Sequence, residues 1–290
     1  MSIINLDNAI SLDENNSRLL FEGDIIYLKW IATSEELVAE EVAKFLNIET
    51  LHFERGIYKG KEVIFSRRFF NYEEDFIPGD DILEEYHSYL KTHLSKDNDN
   101  KEKIAMNYLN NLTDIWGALE LKFGLREGFE KDIETIMEKL VKIFCFDLLM
   151  GNYDRGANNW GVIVGNQGVR LAPMFDNAFS LTFSTYDISP EYTERTDLNH
   201  YLERFFQTSS SEFVEIFYEM YDKLTLDKLL EIIDLVERER GINFELDSEK
   251  YEEFFEEPFI GESKPKLIDD YNKHRDRIAQ IINKIRGKAK

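Results

Sequence analysis

The sequence is poor in several features that mark particular classes of protein. It has a single cysteine, Cys145, and only five prolines in 290 residues. One cysteine cannot form a disulfide within the chain, and a lone thiol fits a reducing compartment. No stretch reaches the roughly 18 uncharged apolar residues of a membrane span, and the opening residues lack the basic and apolar segments of a signal peptide. We therefore expect a cytoplasmic protein that does not enter a membrane.

Positive charge is also scarce. Lys and Arg number 35 against 57 Asp and Glu, which gives a formal net charge of −22. A surface so negative repels a phosphate backbone, so nucleic acid is not expected as the main ligand. The five histidines are scattered, without the close spacing of zinc ligands, and any metal is therefore expected to have oxygen ligands.

Apolar residues are plentiful and follow two different patterns. Hydrophobic residues make up 43% of the chain, which is enough for one large domain or two lobes and excludes a disordered chain. Up to about residue 70, segments 24–30 and 62–69 are typical of strands. Between them, the spacing of apolar residues predicts one helix that ends at Asn47, with an apolar side formed by Leu37, Val38, Val42, Phe45 and Leu46.

Beyond Pro78 the pattern is mainly helical. The clearest helix is predicted over 130–150 and ends at Gly151. A short loop leads into a predicted β-hairpin at 161–172, and helical periodicity returns over 210–240. Near the C-terminus, an acidic stretch at 245–262 precedes a basic segment at 264–290. We interpret these as a solvated stretch beside a basic final helix, or alternatively as a docking surface for a basic protein partner.

One loop and the following hairpin carry oxygen-bearing side chains at a defined spacing. Asp154 and Asn159 lie five positions apart, and Asp176 follows 17 positions later. Phosphoryl transfer needs a carboxylate to accept the proton of the attacking hydroxyl, and an amide oxygen and second carboxylate to hold Mg²⁺. A hairpin between Asn159 and Asp176 can return both to one site. Asp and Asn are also ordinary turn residues, so the spacing alone leaves a turn interpretation open.

The residues around this loop resemble the HipA-type serine/threonine kinases, and most closely their compact CtkA-type branch. In that family the loop typically reads G-N-x-D-R-H-x-x-N-W-G, and the metal motif reads P-x-F-D-N-G. The matching segments here are 149–155, 158–161, 171–177 and 180–181. Upstream, 26–29 is similar to the strand with the nucleotide-binding lysine, 36–39 to the helix with its glutamate partner, and 56–69 to the strand entering the adenine hinge.

The resemblance implies a role for each matching position. Asp154 would be the catalytic base, and Asn159 and Asp176 would bind Mg²⁺. Lys29 would contact the α and β phosphates of ATP, and Glu36 would position Lys29. Without the resemblance, Glu36 would be read as part of a T-x-x-E capping box and Lys29 as a solvated strand residue.

Further positions receive nucleotide-binding or supporting roles. The adenine hinge, where ATP is expected to lie, corresponds to Ser66, Arg67, Arg68 and Phe69. Arg155 would support the catalytic loop, and Asp147 and Trp160 are expected to pack the helix end and the hairpin.

The resemblance also implies an α+β, two-lobed, protein-kinase-like fold of the HipA/PI3-4-kinase type. The expected domains are an N-terminal lobe at 1–70, with an antiparallel sheet and one helix, and a mainly helical C-terminal lobe at 71–290. The second lobe contains the catalytic loop and metal motif at 151–177. ATP and Mg²⁺ are the expected cofactors, and a protein Ser or Thr hydroxyl is the expected acceptor.

The sequence departs from the family pattern at two places. Gly156 stands where the family has a histidine, and segment 11–18 lacks the glycines with which many kinases cover the triphosphate. These departures leave open a nucleotide-binding pseudokinase or a toxin–antitoxin-type interaction protein. A small-molecule kinase is a further alternative, because the same three oxygen ligands would serve any hydroxyl acceptor. Ser17 and the serines at 209–211 are candidate self-phosphorylation sites, or else ordinary polar turn residues.

Overall fold

The computed structural model describes residues 3–15, 17–30, 33–93, 112–152, 155–178, 180–181, 211–242, 244 and 264–288. The N-terminal part forms a six-stranded sheet with the order β1-β5-β6-β4-β3-β2, in which only the β1–β5 pair is parallel. The strands are β1 (Ile4–Asn5), β2 (Ile10–Ser11), β3 (Arg18–Phe21), β4 (Asp24–Lys29), β5 (Phe53–Tyr58) and β6 (Lys61–Arg67).

The two faces of this sheet have different surroundings. Side chains alternate along a strand, so Ile26 and Leu28 of β4 enter a small core on one face. Lys29 points to the other face, where it lies opposite Ile64 of β6. Ile64 belongs to the larger core that continues into the helical part of the chain. Strand alternation therefore directs Lys29 toward the helical part.

Helix α1 (Thr33–Phe45) lies between these two parts. Residues from Ser34 to Glu40 are all buried, so its first two turns are covered on every side rather than on one apolar stripe. The expectation that Phe45 lies on the apolar side is wrong, because Val42 and Ala43 form the buried side of the last turn and leave Phe45 40% exposed. There its ring packs under the Lys228 ammonium, 4.8 Å from the ring centre.

The helical part is built around one long buried helix. The described helices after α1 are α2 (Gly79–His93), α3 (Leu112–Phe123), α4 (Phe129–Met150), α5 (Ser211–Lys223), α6 (Leu226–Arg240) and α7 (Lys264–Lys288). As predicted, α4 ends at Gly151, which adopts a left-handed backbone conformation (φ 67°) and donates its N–H to the Asp147 carbonyl. This ending turns the chain toward the predicted catalytic loop, whose first described residues stay buried.

The hairpin prediction is confirmed. Strands β8 (Gly161–Gly165) and β9 (Gly168–Leu171) pair in antiparallel fashion, and β7 (Asp75–Pro78) joins them as a third strand. Because β7 pairs with β8 and not with the N-terminal sheet, that sheet ends at Arg67. The domain boundary expected near residue 70 stays a prediction.

The helical segment predicted over 210–240 is two helices. Thr225 interrupts it by accepting a hydrogen bond from the Lys228 backbone N–H at 3.2 Å, which caps α6. The basic C-terminal segment forms α7, while the acidic stretch 245–262 lies outside the described residues. No helix in the described part of the chain is long and apolar enough to cross a membrane. The predicted α+β class is confirmed.

Candidate functional site

Lys29, Glu36 and Asp176 meet where α1 and β4 face the segment after β9. The Lys29 ammonium donates to Glu36 Oε1 and, at 2.6 Å, to Asp176 Oδ1. The Lys29 side chain is 26% exposed and that of Glu36 is fully buried. Burial opposes the charge on Lys29, but the nearby carboxylates of Glu36 and Asp176 outweigh it and raise the pKa of Lys29 above its usual value. Lys29 is therefore a fixed cation at neutral pH.

The carboxylate of Glu36 is also bound from the opposite side. Its Oε1 accepts the backbone N–H of Asn177 at 3.0 Å, and its Oε2 accepts the Asn177 side-chain amide at 3.4 Å. These bonds join α1 to the residue directly after Asp176. Glu36 thus holds both Lys29 and the segment that carries Asp176, a role that a capping box alone would not give it.

A chain of buried hydrogen bonds continues from Asn177 to the end of α4. Arg155 donates from Nη2 to the Asn177 side-chain oxygen at 2.7 Å. The same guanidinium binds both oxygens of Asp147 at 2.9 Å, and the Asn152 side chain donates to Asp147 at 2.9 Å. We call this chain, from Glu36 through Asn177, Arg155 and Asp147 to Asn152, the polar relay. It connects the helix beside the N-terminal sheet with the loop after α4.

The centre of the polar relay is fully buried. The paired side chains of Arg155 and Asp147 have no exposed surface. Burial raises the pKa of Asp147 above its usual value, against the attraction of Arg155 and its hydrogen bonds. Breaking such a pair from one side leaves an uncompensated charge in the core. Asp147 and Arg155 therefore support the loop, and Asn152 and Asn177 are the members to which sequence reasoning gave no role.

Arg155 also brings together the main chains of the two predicted metal ligands. Its Nη1 donates to the Asn159 carbonyl at 3.0 Å and to the carbonyl of Phe175, the residue before Asp176. Asn159 ends a short 3-10 turn (Ala157–Asn159) and is 5% exposed. Asp154, the predicted base, lies outside the described residues.

The backbone at Asp176 is unusual. Its φ of 58° lies in the left-handed region, which few residues other than glycine adopt, although Asp and Asn do so more readily than most. The Asp176 side chain is 38% exposed, more than its partners Lys29 and Glu36. Outliers of this kind are concentrated at functional sites. Carboxylate and amide oxygens are the ligands that Mg²⁺ prefers, so the chemistry of Asp176 and Asn159 fits this ion.

Among the described residues, no group of three His, Cys, Asp or Glu side chains is arranged to hold a metal ion. The predicted pair, one carboxylate and one amide, is smaller than such a group. A kinase-type Mg²⁺ commonly takes its remaining ligands from water and from the phosphates of its nucleotide. The small number of protein ligands is therefore compatible with an ion that arrives with a nucleotide.

The predicted hinge residues have different surroundings. Ser66 is buried on β6, opposite Tyr27 of β4. The Arg67 side chain pairs with Glu54 at 2.8 Å, and the Arg68 guanidinium lies over the rings of Phe70 and Tyr72. In the described part of the chain, neither arginine side chain contacts Lys29 or Asp176.

Phe69 connects the hinge to the metal motif. Its ring stacks on Phe175 with centroids 6.3 Å apart and an angle of 22°, and Tyr27 and Phe76 pack around it. This group forms an aromatic wall next to Asp176, suited to contact with a flat apolar ring. An aromatic residue directly before the aspartate of the motif was the available sequence signal for Phe175.

Comparison with known structures shows the fold of this chain. The crystal structure of the Helicobacter pylori proinflammatory kinase CtkA is similar over 99% of this chain and 98% of that one, with a TM-score of 0.56 and 16% identity. HipA of Shewanella oneidensis MR-1, solved with HipB and operator DNA, is similar over 91% of this chain, with a TM-score of 0.50 and 11% identity. This match spans 60% of that HipA chain.

Comparison with protein-family models gives no match, and comparison with curated protein sequences gives none either. The structural matches nevertheless confirm the predicted fold class, a two-lobed kinase-like fold of the HipA and CtkA type. At such low identity they speak to the fold alone, and the residues of the site decide what it does.

Proposed function

We propose that the chain is an ATP- and Mg²⁺-dependent kinase that transfers the γ-phosphate of ATP to a serine or threonine hydroxyl of a protein. The observation that carries this proposal is the position of the Lys29 ammonium between Glu36 and Asp176. Phosphoryl transfer depends on positioning and charge stabilisation more than on covalent chemistry. A buried glutamate, a lysine fixed as a cation and a partly exposed carboxylate provide the parts that this requires.

Each residue has one task in the proposed reaction. Lys29 binds the α and β phosphates, and Glu36 fixes the direction of the Lys29 side chain. Asp176 and Asn159 hold Mg²⁺, which when bound neutralises charge on the phosphates and orients the γ-phosphate. Asp154 accepts the proton of the attacking serine or threonine hydroxyl. At the same time the hydroxyl oxygen bonds to the γ-phosphorus, and the bond between that phosphorus and the leaving ADP breaks. The aromatic wall that includes Phe69 and Phe175 contacts the adenine.

The polar relay assigns positioning roles to Arg155 and Asn177. Arg155 binds the carbonyls of Asn159 and Phe175, and Asn177 connects Arg155 with Glu36. Neither side chain needs to touch the nucleotide, because each acts through the backbone or through Glu36. The relay thus fixes the spacing between the lysine and the two metal ligands before ATP binds, which lowers the cost of ordering them later.

The decisive experiment measures phosphate transfer from γ-labelled ATP with and without Mg²⁺, to the protein itself and to a mixed protein extract. We expect magnesium-dependent label with the wild type and none with Asp154→Asn or Asp176→Asn. Asp222→Asn is the matched control, because Asp222 is exposed on α5. Transfer that persists in the Asp154 variant would reject Asp154 as the base.

A nucleotide-binding pseudokinase is the second candidate function, and the loop between β2 and β3 favours it. The Asp13 carboxylate accepts the backbone N–H and the hydroxyl of Ser17, both at 2.9 Å. That N–H is then engaged within the loop, and the carboxylate opposes phosphate. Magnesium-dependent ATP binding without labelled protein would support this candidate, whereas label on a small molecule of the extract would indicate a small-molecule kinase.

A further inference from the structure

A groove in the helical part combines an apolar floor with a negative rim. It has a volume of about 900 Å³ and is formed mainly by α3, α4 and α5, with Tyr86 of α2 at one side. We call it the acidic groove. The residues that matter most are Trp116 and Glu120 of α3, Met137, Glu134 and Val141 of α4, and Ile216 of α5.

The apolar part of the acidic groove follows the helical repeat. On α4, Glu134, Met137, Glu138 and Val141 are three or four positions apart, so they lie on one face of the helix. Trp116 on α3 is 38% exposed, a large apolar surface in contact with water. Covering it would be favourable, and tryptophan is among the residues that contribute most when an interface buries them.

The charge of the acidic groove has one sign. Its lining includes three glutamates and no Lys, Arg or His among the described residues. Glu138 is paired with Lys142, but in the described part of the chain no ion pair or hydrogen bond engages the side chain of Glu120 or Glu134. Two uncompensated carboxylates next to exposed apolar surface are complementary to a partner with cations next to apolar residues.

A cavity on the other side of α4 is lined by lysines instead of unpaired glutamates. It has a volume of about 430 Å³ and is lined by Lys44, Lys139 and Lys142 together with Glu49. Lys44 binds Glu40 and Glu41, while Lys139 binds Glu49 at 2.9 Å. Its lysines are already neutralised by the protein, whereas the carboxylates of Glu120 and Glu134 are not. Of these two cavities, the acidic groove is therefore the one whose lining carries unmatched charge.

We propose that the acidic groove docks a basic, amphipathic segment of the protein acceptor, with apolar side chains on Trp116 and lysines or arginines near Glu120 and Glu134. This inference rests on the proposed function, since only a protein acceptor needs a docking surface away from Lys29 and Asp176. The groove runs along about two turns of α3 and α4, roughly 10 Å, which suits a short helical or extended segment. A second copy of this chain fits poorly, because each copy carries a net charge of −22.

The test uses a fluorescent peptide of leucine and lysine in an amphipathic helical order, and the intact protein without nucleotide. A scrambled peptide of the same composition and a leucine–glutamate peptide are the probe controls. We expect Trp116→Ala to weaken binding at least about tenfold, as at an interface hot spot. Glu120→Gln with Glu134→Gln should weaken it about fivefold and reduce its salt dependence.

The matched control is Glu73→Gln with Glu215→Gln, which changes the net charge equally at exposed positions outside the groove. It should change affinity less than about twofold. If all variants bind the peptide equally, or if the scrambled peptide binds as well as the amphipathic one, the protein attracts basic peptides through its negative surface in general. Either outcome would overturn the proposal. Self-association lost in Trp116→Ala would overturn it in favour of a second copy.

Because binding is measured without ATP, its outcome is independent of catalysis. Phosphate transfer to the extract is then compared between the wild type and Trp116→Ala, with the melting temperature of each variant as the folding control. Docking predicts a higher KM for protein acceptors at an unchanged kcat. Specific peptide binding with no transfer at all would retain the groove as an interaction surface and reject the kinase function.

Discussion

Glu36 and Glu40 are one helical turn apart on α1, and both are fully buried, yet their surroundings differ. Glu36 binds Lys29, whose ammonium also reaches the partly exposed Asp176. Glu40, further along the helix, binds Lys44, His52 and Arg240. The same side chain on the same helix therefore serves two purposes, one at the site and one in anchoring the helix.

The difference lies in what could replace each carboxylate. The Arg240 side chain is 5% exposed and also donates to the Phe53 carbonyl at 2.7 Å, so it depends on buried protein partners. Lys29 is 26% exposed and has Asp176 as a second partner. Charges held in a closed environment contribute to stability, whereas charges with an exchangeable partner are available for a ligand.

The largest expected effect is on stability, in Glu40→Gln. Removing this charge leaves the buried Arg240 with only Glu41 as a carboxylate partner, so the free energy of unfolding should fall by about 3 kcal/mol. Chemical denaturation measures it. Glu41→Gln, at the partner that is 22% exposed, is the control and should cost less than about 1 kcal/mol. Equal losses in the two variants would contradict a special role of Glu40.

Glu36→Gln should reduce phosphate transfer much more than it reduces stability. Lys29 would keep Asp176 and water as partners, so the free energy of unfolding should fall by only about 1 kcal/mol. Phosphate transfer should fall about 100-fold, because the lysine loses the carboxylate that positions it. Steady-state kinetics with labelled ATP provides the measurement, with Glu40→Gln as its comparison. Undiminished transfer in Glu36→Gln would remove the distinction between the two glutamates.

A buried histidine extends the comparison to a group that burial keeps neutral. His274 of α7 donates from Nε2 to the Leu148 carbonyl near the end of α4 at 2.7 Å. Burial lowers the pKa of His274 to about 4; the bond to Leu148 opposes this shift, and the charge of Arg277 adds to it. The folded protein therefore binds this proton less readily than the unfolded chain does.

The stability contributed by neutral His274 is complete above about pH 6.5 and is lost as the pH falls toward about 4. Between about pH 7 and 5.5, the loss should be about 1 kcal/mol. The free energy of unfolding of the wild type and of His274→Gln is measured by denaturation at both pH values. The difference between the two proteins separates the effect of His274 from the titration of the acidic residues. The same pH dependence in both proteins would show that His274 is not its source.

Local patterns were readable in the sequence, and long-range contacts were not. The end of α4 at Gly151 and the hairpin after it follow from apolar spacing and turn residues within a few positions. The polar relay joins residues from Glu36 to Asn177, and no local pattern contains such a contact. Glu36, Arg155 and Asp147 each had a predicted role, but nothing in the sequence indicated that Asn177 would connect Arg155 with Glu36.

One expectation failed for a reason of context, and one break was not foreseen. Periodicity places Phe45 with its apolar neighbours, but it does not show that Val42 and Ala43 alone form the buried side of the last turn. The break at Thr225 had a signal, a threonine with an aspartate two positions later, which is typical of a helix start. The helical periodicity on both sides concealed it.

The anchoring of α1 also has a mechanical consequence. Its buried residues belong to the same core as α4 and α6, and Arg240 fastens it to the end of α6. Much of the sheet that carries Lys29 packs into a separate core. The ion pair between Lys29 and Glu36 therefore couples a strand of the sheet to a helix that is anchored in the helical part.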